Sequence, residues 1–329
     1  MVVRNQQNDE VIELVEDGLR RNLRRLIPPD RAVLLAVSGG PDSMTLLSAL
    51  TRLPGRSGTR FEAATIDHQL RPESASETEL VARTCARLGV THHVRIAPPA
   101  KGGIEAGARI ARYEALHSIR RKRGLDFLVT AHTASDQAET LLMRLSRGSA
   151  LTGARAIREH RDDQVLRPML FLTRSDVERY VAALGLEVAR DAMNDDPRFL
   201  RTRIRREVLP VFNAATGGVE RALSRFAALA AEDDGELQRQ AVAALHRCRW
   251  PDGSLEAIAL VSLPRSIARR VLALWLSEHD VELDAELIEE GLNAARNRSV
   301  TTLPGDRVLI CTDGRVNVAT APPRLHATS

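Results

Sequence analysis

The chain has 329 residues, 43% of them hydrophobic and 27% charged, with a formal net charge of +4; this is an ordinary globular composition, long enough for two domains. Its longest apolar runs, such as Ala32 to Val37 and Val271 to Leu276, reach six residues and exclude a helical membrane span. Cys85, Cys248 and Cys311 stand apart with no Cys-x-x-Cys pair, so disulfide, zinc and iron–sulfur frameworks lack support. The start Met-Val-Val-Arg has no secretory pattern, so the cytoplasm is the expected compartment.

In chain order, residues 10 to 26 predict a polar helix ahead of a first strand. That strand runs straight into Ser38-Gly39-Gly40-Pro41-Asp42-Ser43 and a helix over 42 to 53. Glycines lack a Cβ, so the backbone can turn sharply and present N–H groups to an anion. Pro41 suits a first helical position, and the helix aims its positive dipole end into the same cavity. Ser38 and Ser43 add hydroxyls at either side. The Asp42 carboxylate would repel a phosphate unless a divalent cation bridges the two. No Walker lysine and no Gly-x-Gly-x-x-Gly is present, so the common ATPase and dinucleotide readings fail. Ser-Gly-Gly-x-Asp-Ser instead resembles the pyrophosphate loop of enzymes that cleave ATP and transfer AMP.

A turn at Pro54 to Gly58 leads to a strand over Phe61 to Ile66, a helix over Ser74 to Leu88 and a strand over 91 to 96. A helix over Glu105 to Arg123, a strand over Asp126 to Thr130 and a helix over Ser135 to Arg147 follow. Strands alternating with helices at this spacing predict an α/β fold, a doubly wound parallel sheet with its ligand at the carboxyl ends of the strands. Beyond about 215 the composition shifts to Ala, Leu and Arg. Val300 to Leu303, Arg307 to Cys311 and Arg315 to Ala319, with Thr312-Asp313-Gly314 between the last two, carry a hairpin signal. The expected organisation is a catalytic domain over 1–215 and a smaller, mainly helical domain over 216–329.

The motifs fall at strand ends or on the helices that follow. Asp67 and His68 leave the second strand beside the glycine turn, where they could reach a nucleotide. Glu105, Arg109 and Arg112 share a helix face; adjacent guanidiniums repel unless anions meet them, and their forked donors match phosphate oxygens. A plain Glu105–Arg109 surface pair is the alternative. His132, Asp136, Glu139 and Thr140 follow the fourth strand, with both acids facing one way, fit for a metal or an ammonium. Ser135 as an ordinary helix cap is the alternative there. The chain has only two lysines, Lys101 and Lys122, and its arginines crowd between Arg144 and Arg206, a density that attracts a polyanion.

Taken together, Ser38 to Ser43, Asp67-His68 with Leu70-Arg71 and Glu73-Ser74, Ala108-Arg109 with Arg112-Tyr113, His132 with Asp136-Gln137-Ala138-Glu139-Thr140, Arg147-Gly148-Ser149, Arg167-Pro168, Asp191 with Asn194, and Arg201 to Arg205 before Leu209-Pro210 resemble the tRNA(Ile)-lysidine synthetase family over roughly 30 to 215. The resemblance implies ATP-dependent attachment of free lysine to C2 of the wobble cytidine of a CAU-anticodon tRNA(Ile), through an adenylated tRNA. It implies an ATP loop over Ser38 to Ser43, Mg2+ near Asp42 and Asp136, phosphate and charge stabilisation by Arg112 and His132, and lysine or metal contacts by Asp136 and Glu139. Arg109, Asn194, Arg201 and Arg205 would meet the tRNA. A homodimer is left open. This chain departs from the family at Thr133 and Ser135, at Met193 and at Thr202. Since it ends at 329, the larger tRNA-gripping extension of longer relatives is expected to be reduced or missing. A tRNA thiolase, an amidating enzyme of small molecules and a noncatalytic RNA-binding protein of the same fold are the competing readings.

Overall fold

The computed structural model describes residues 6–53, 60–67, 74–98, 104–189, 198–281 and 284–321. Contacts divide the chain into two compact units, Met1–Ala231 and Glu232–Ser329.

In the first unit, α1 (Gln6–Leu26) precedes β1 (Val33–Ala36), α2 (Pro41–Arg52), β2 (Phe61–Asp67), α3 (Ser74–Leu88), β3 (His92–Ile96), α4 (Ile104–Lys122), β4 (Phe127–Val129) and α5 (Ala134–Leu145). The predicted elements of this region all form, with ends within about two residues, apart from a first helix that begins four residues earlier. α6 (Leu151–Ala154), β5 (Val165–Leu166), α7 (Arg174–Leu184), α8 (Leu200–Arg203), a π-helical turn over Ile204–Val208 and α9 (Leu209–Thr216) follow. The parallel sheet has the order β3-β2-β1-β4-β5.

Successive strand residues face opposite sides, and both sides of β1 are covered. Leu35 joins Leu19 and Leu23 of α1, Leu46 and Leu47 of α2, Val81 and Cys85 of α3 and Val177 and Tyr180 of α7. Leu34 joins Leu116 and Ile119 of α4 with Leu128 and Val165. This is the doubly wound arrangement expected. Its chain order reverses between β1 and β4, so the loops leaving those two strands flank the crevice where such sheets bind ligands. Gly18 on α1 packs directly under the Phe171 ring, which a Cβ there would meet.

In the second unit, the end of α10 (Val219–Cys248) packs with α11 (Ala257–Val261), α12 (Arg265–Ser277) and α13 (Ala285–Asn297) around Trp275, Val271, Leu272 and Leu309. An antiparallel sheet of β6 (Leu255–Glu256), β7 (Val300–Leu303), β8 (Arg307–Thr312) and β9 (Arg315–Thr320) has the order β6-β9-β8-β7. Thr312 pairs with Arg315 across Asp313 and Gly314, which have φ of 51° and 75°. Two successive positive φ values make this the hairpin turn that Asp-Gly predicts. No helix among the described residues is long and apolar enough to cross a membrane.

Candidate active site at the switch point

After β1 the backbone turns through Gly39 at φ 87°, a left-handed conformation that strains any side chain. Gly40 is the N-cap of α2 with extended backbone, Pro41 takes a first helical position, and no side chain caps the helix start. An uncapped helix start leaves its first amides for an anion. Ser43 Oγ accepts from the Ser38 amide at 3.1 Å, donates to the Gly40 carbonyl at 3.0 Å and lies 3.3 Å from Ser38 Oγ, which closes the turn. The Ala189 amide donates to Gly39 O at 2.9 Å and ties a distant loop to it.

Asp42 stands on the first turn of α2. Its Oδ1 is buried and has no hydrogen-bond partner among the described residues. Burial pushes its carboxyl up to about 7; Asp136 and Glu139 push the same way, while Arg174 and Arg205 oppose. The charges of those four groups therefore reach Asp42.

α5 supplies the two facing carboxylates. The helix is capped by Thr133, not by Ser135, in a capping box with Asp136. Asp136 Oδ2 accepts from the Thr133 amide at 2.8 Å and hydroxyl at 3.0 Å, and its Oδ1 accepts from Arg201 at 2.6 Å. Burial works against its charge, but Arg201 and the Thr133 amide together hold the carboxyl below the usual range. Glu139 is fully buried; Arg201 Nε donates to it at 2.6 Å, and Arg205 donates twice, at 2.6 and 3.1 Å. Arg174 approaches within 4.0 Å. A buried carboxylate persists only with such partners.

His132 Nδ1 lies 2.9 Å from Thr130 Oγ1. Burial lowers its pKa to about 3 against the pull of Asp136, with Arg167, Arg109 and Arg201 adding to the depression, so the ring is neutral at physiological pH. Desolvation and then the Arg109 charge lower the pKa of Arg112. Both effects are relieved by an anion. Gln137 holds the next loop, donating to Ile157 O at 3.1 Å and accepting from Ile157 N at 2.6 Å.

The structure thus brings together Ser38, Gly39, Gly40, Pro41, Asp42, Ser43, Asp136, Glu139, Arg201 and Arg205, with His132 and Arg112 in the same field of charges. It places Arg201 and Arg205 on the acids. Asp67 ends β2 at the same carboxyl end of the sheet as the glycine turn. His68, Asn194 and Asp191 lie outside the described residues. Arg174 and Thr133 were not among the expected site residues. Thr133 had a signal in the Thr-x-x-Asp spacing of a helix cap; Arg174 had none, being one arginine in a crowded run whose link to Glu139 joins residues far apart in sequence.

The PP-loop domain family matches residues 9–212. The tRNA(Ile)-lysidine synthase of Thermobifida fusca is 35% identical over 322 residues, covering 94% of this chain and 97% of its own. The chain belongs to this family of PP-loop proteins. That of Rhodopseudomonas palustris is 38% identical and covers 89% of this chain and 91% of its own. That of Deinococcus deserti is 38% identical over 296 residues, which is 88% of this chain and 52% of the relative, so the chain spans about half the length of the Deinococcus family members it matches. The U34-tRNA thiolase NcsA of Methanococcus maripaludis shares the fold, with a TM-score of 0.57 at 15% identity over 67% of this chain and 78% of that one.

Proposed function

We propose that this protein attaches free lysine to C2 of the wobble cytidine of a CAU-anticodon tRNA(Ile) in the cytoplasm, using ATP and releasing AMP and pyrophosphate. The observation that carries the reading is the unpartnered Asp42 oxygen just after an uncapped glycine turn, opposed by the α5 carboxylates, in a member of this family. Cytidine O2 is a poor leaving group. Its attack on the α-phosphorus of ATP forms an O–P bond, breaks the bond to pyrophosphate and makes the C2 oxygen a good one. The lysine amine then forms a C2–N bond as the C2–O bond to AMP breaks.

The turn amides, the α2 dipole and Arg112 stabilise the charge that grows on the departing pyrophosphate. The neutral His132 ring serves as a hydrogen-bond partner, not as a cation. Mg2+ is commonly held by one or two carboxylates with the substrate's phosphates. Asp42 offers a buried, uncommitted oxygen for it, and Asp136 Oδ1 a second once Arg201 withdraws; bound there, the ion would neutralise phosphate charge. Asp136 and Glu139 already hold cations, so the ammonium of lysine can exchange with the Arg201 guanidinium. A carboxylate freed by that exchange takes the proton the amine must lose before it attacks. Arg201 and Arg205 then face the tRNA, with residues from 216 onward supporting its hold.

The test is purified protein with ATP, lysine and unmodified tRNA(Ile), followed by nucleoside mass analysis and pyrophosphate release. Lysidine should form, and Asp42→Ala and Arg112→Ala should abolish it. No pyrophosphate and no altered cytidine from the unsubstituted protein would overturn the reading, and undiminished rates in either variant would remove that residue from it.

A further inference from the structure

Outside the carboxylate cluster, a groove of about 390 Å³ runs along the exposed side of α4, lined by Arg109, Ile110, Tyr113, Glu114, His117, Arg121 and Arg161. Three arginines meet a single lining acid. Arg109, Tyr113, His117 and Arg121 are spaced four apart and make one ridge of the helix. Arg109 and Arg161 both lie over the Tyr113 ring, at 5.1 and 4.7 Å from its centroid. Arg161 is steadied by Asp163 at 2.7 and 3.0 Å, and the same carboxylate meets His117 at 3.0 Å. Planar guanidiniums held in place on an aromatic face are preorganised for phosphate and nucleobase contacts. Ile110, a large aliphatic side chain, is 54% exposed beside them.

Arg109 lies at the crevice end of this ridge, near enough for its charge to lower the pKa of His132, Arg112 and Arg167. From Arg109 to Arg121 the helix rises about 18 Å, roughly the length of five stacked nucleotides at about 3.4 Å each. A base that enters the crevice for reaction must bring its neighbours along the protein surface, and this is the cationic path that leads away from Arg109.

We propose that this α4 groove is a second RNA-contact site, whose Arg121 and Arg161 hold backbone phosphates of the nucleotides flanking the reacting base. The proposal rests on the tRNA reading above. It differs from recognition of the reacting base itself, which falls to the crevice.

The test compares the unsubstituted protein, Arg121→Glu/Arg161→Glu and the control Arg21→Glu/Arg24→Glu on α1, which changes charge equally. Affinity for an unmodified tRNA(Ile) transcript is followed by fluorescence anisotropy over a salt series, and ATP affinity by calorimetry. The groove variant should bind tRNA at least about tenfold more weakly, with a salt slope shallower by about 1.4, at about 0.7 per phosphate contact for single strands. Its ATP affinity should match that of the unsubstituted protein, which also shows that the variant is folded. Unchanged tRNA affinity and slope, or an equal loss in the control, would overturn the proposal, as would a loss confined to ATP. If the unsubstituted protein shows the groove-dependent tRNA binding yet forms no lysidine, the groove stands and the proposed reaction falls.

Discussion

Asp42 is an acid whose surroundings favour its neutral form. Its carboxyl titrates near 3.8 when unfolded and is pushed up to about 7 when folded, chiefly by burial. Between those values the folded chain keeps a proton that the unfolded chain has lost, so stability falls as pH rises from about 4 to 7 and stays lower above. In the nucleotide-free protein, Asp42→Asn should therefore raise stability at pH 8, by roughly 1–3 kcal/mol, with little change at pH 4. Thermal unfolding at both pH values checks this; equal shifts at both would sink it. Glu139 is a fully buried carboxylate that accepts hydrogen bonds from Arg201 and Arg205. Arg205→Met should cost about 3 kcal/mol in urea unfolding because it removes two of the hydrogen bonds, and one of the cations, that compensate a buried charge, and adding Glu139→Gln should recover part of the loss. The glycine turn and these acids could be read in the sequence, because phosphate chemistry constrains neighbouring residues. The pairing of Arg201 and Arg205 with residues more than sixty positions earlier could not.

Two helices of the first unit begin with the same device. Thr133 caps α5 with Asp136 three positions on, and Thr173 caps α7 with Asp176. Asp176 also accepts from Arg179 at 2.6 Å and Arg221 at 2.7 Å. Burial opposes its charge, yet the Thr173 donors and both arginines hold its carboxyl below the usual range. Its contribution is thus present above the unfolded pKa near 3.8 and is lost as pH falls through the lower folded value. Thr173→Ala should lower stability by about 1 kcal/mol at pH 7, read from the thermal midpoint, with no shift meaning that the cap is redundant. Thr173-Arg174-Ser175-Asp176 ahead of Val177 is the capping signal that announces α7, although the region reads more readily as an arginine-rich stretch. β5 has two residues, too few for any periodicity, and exists because β4 offers an open edge to pair with.

The two units carry separate cores, one around Leu35 and Leu46 and one around Trp275 and Leu272. Both tryptophans, Trp250 and Trp275, belong to the second unit, so indole fluorescence reports that unit while far-UV circular dichroism reports both. Leu35→Ala, with the side chain wholly buried, should cost about 2–5 kcal/mol and move the dichroism transition more than the fluorescence one. Coincident shifts would mean that the two cores unfold as one. The sequence alone determined the alternation of strands and helices, the glycine turn, the Asp-Gly hairpin and the family, since each depends on residues close together along the chain. Tertiary structure decided which arginines neutralise Asp136 and Glu139, which oxygen of Asp42 is left without a partner and which face of α4 gathers guanidiniums. Those outcomes depend on distances between segments remote in sequence, and on burial, which raises or lowers each charge's stability only after the sheet has closed around it.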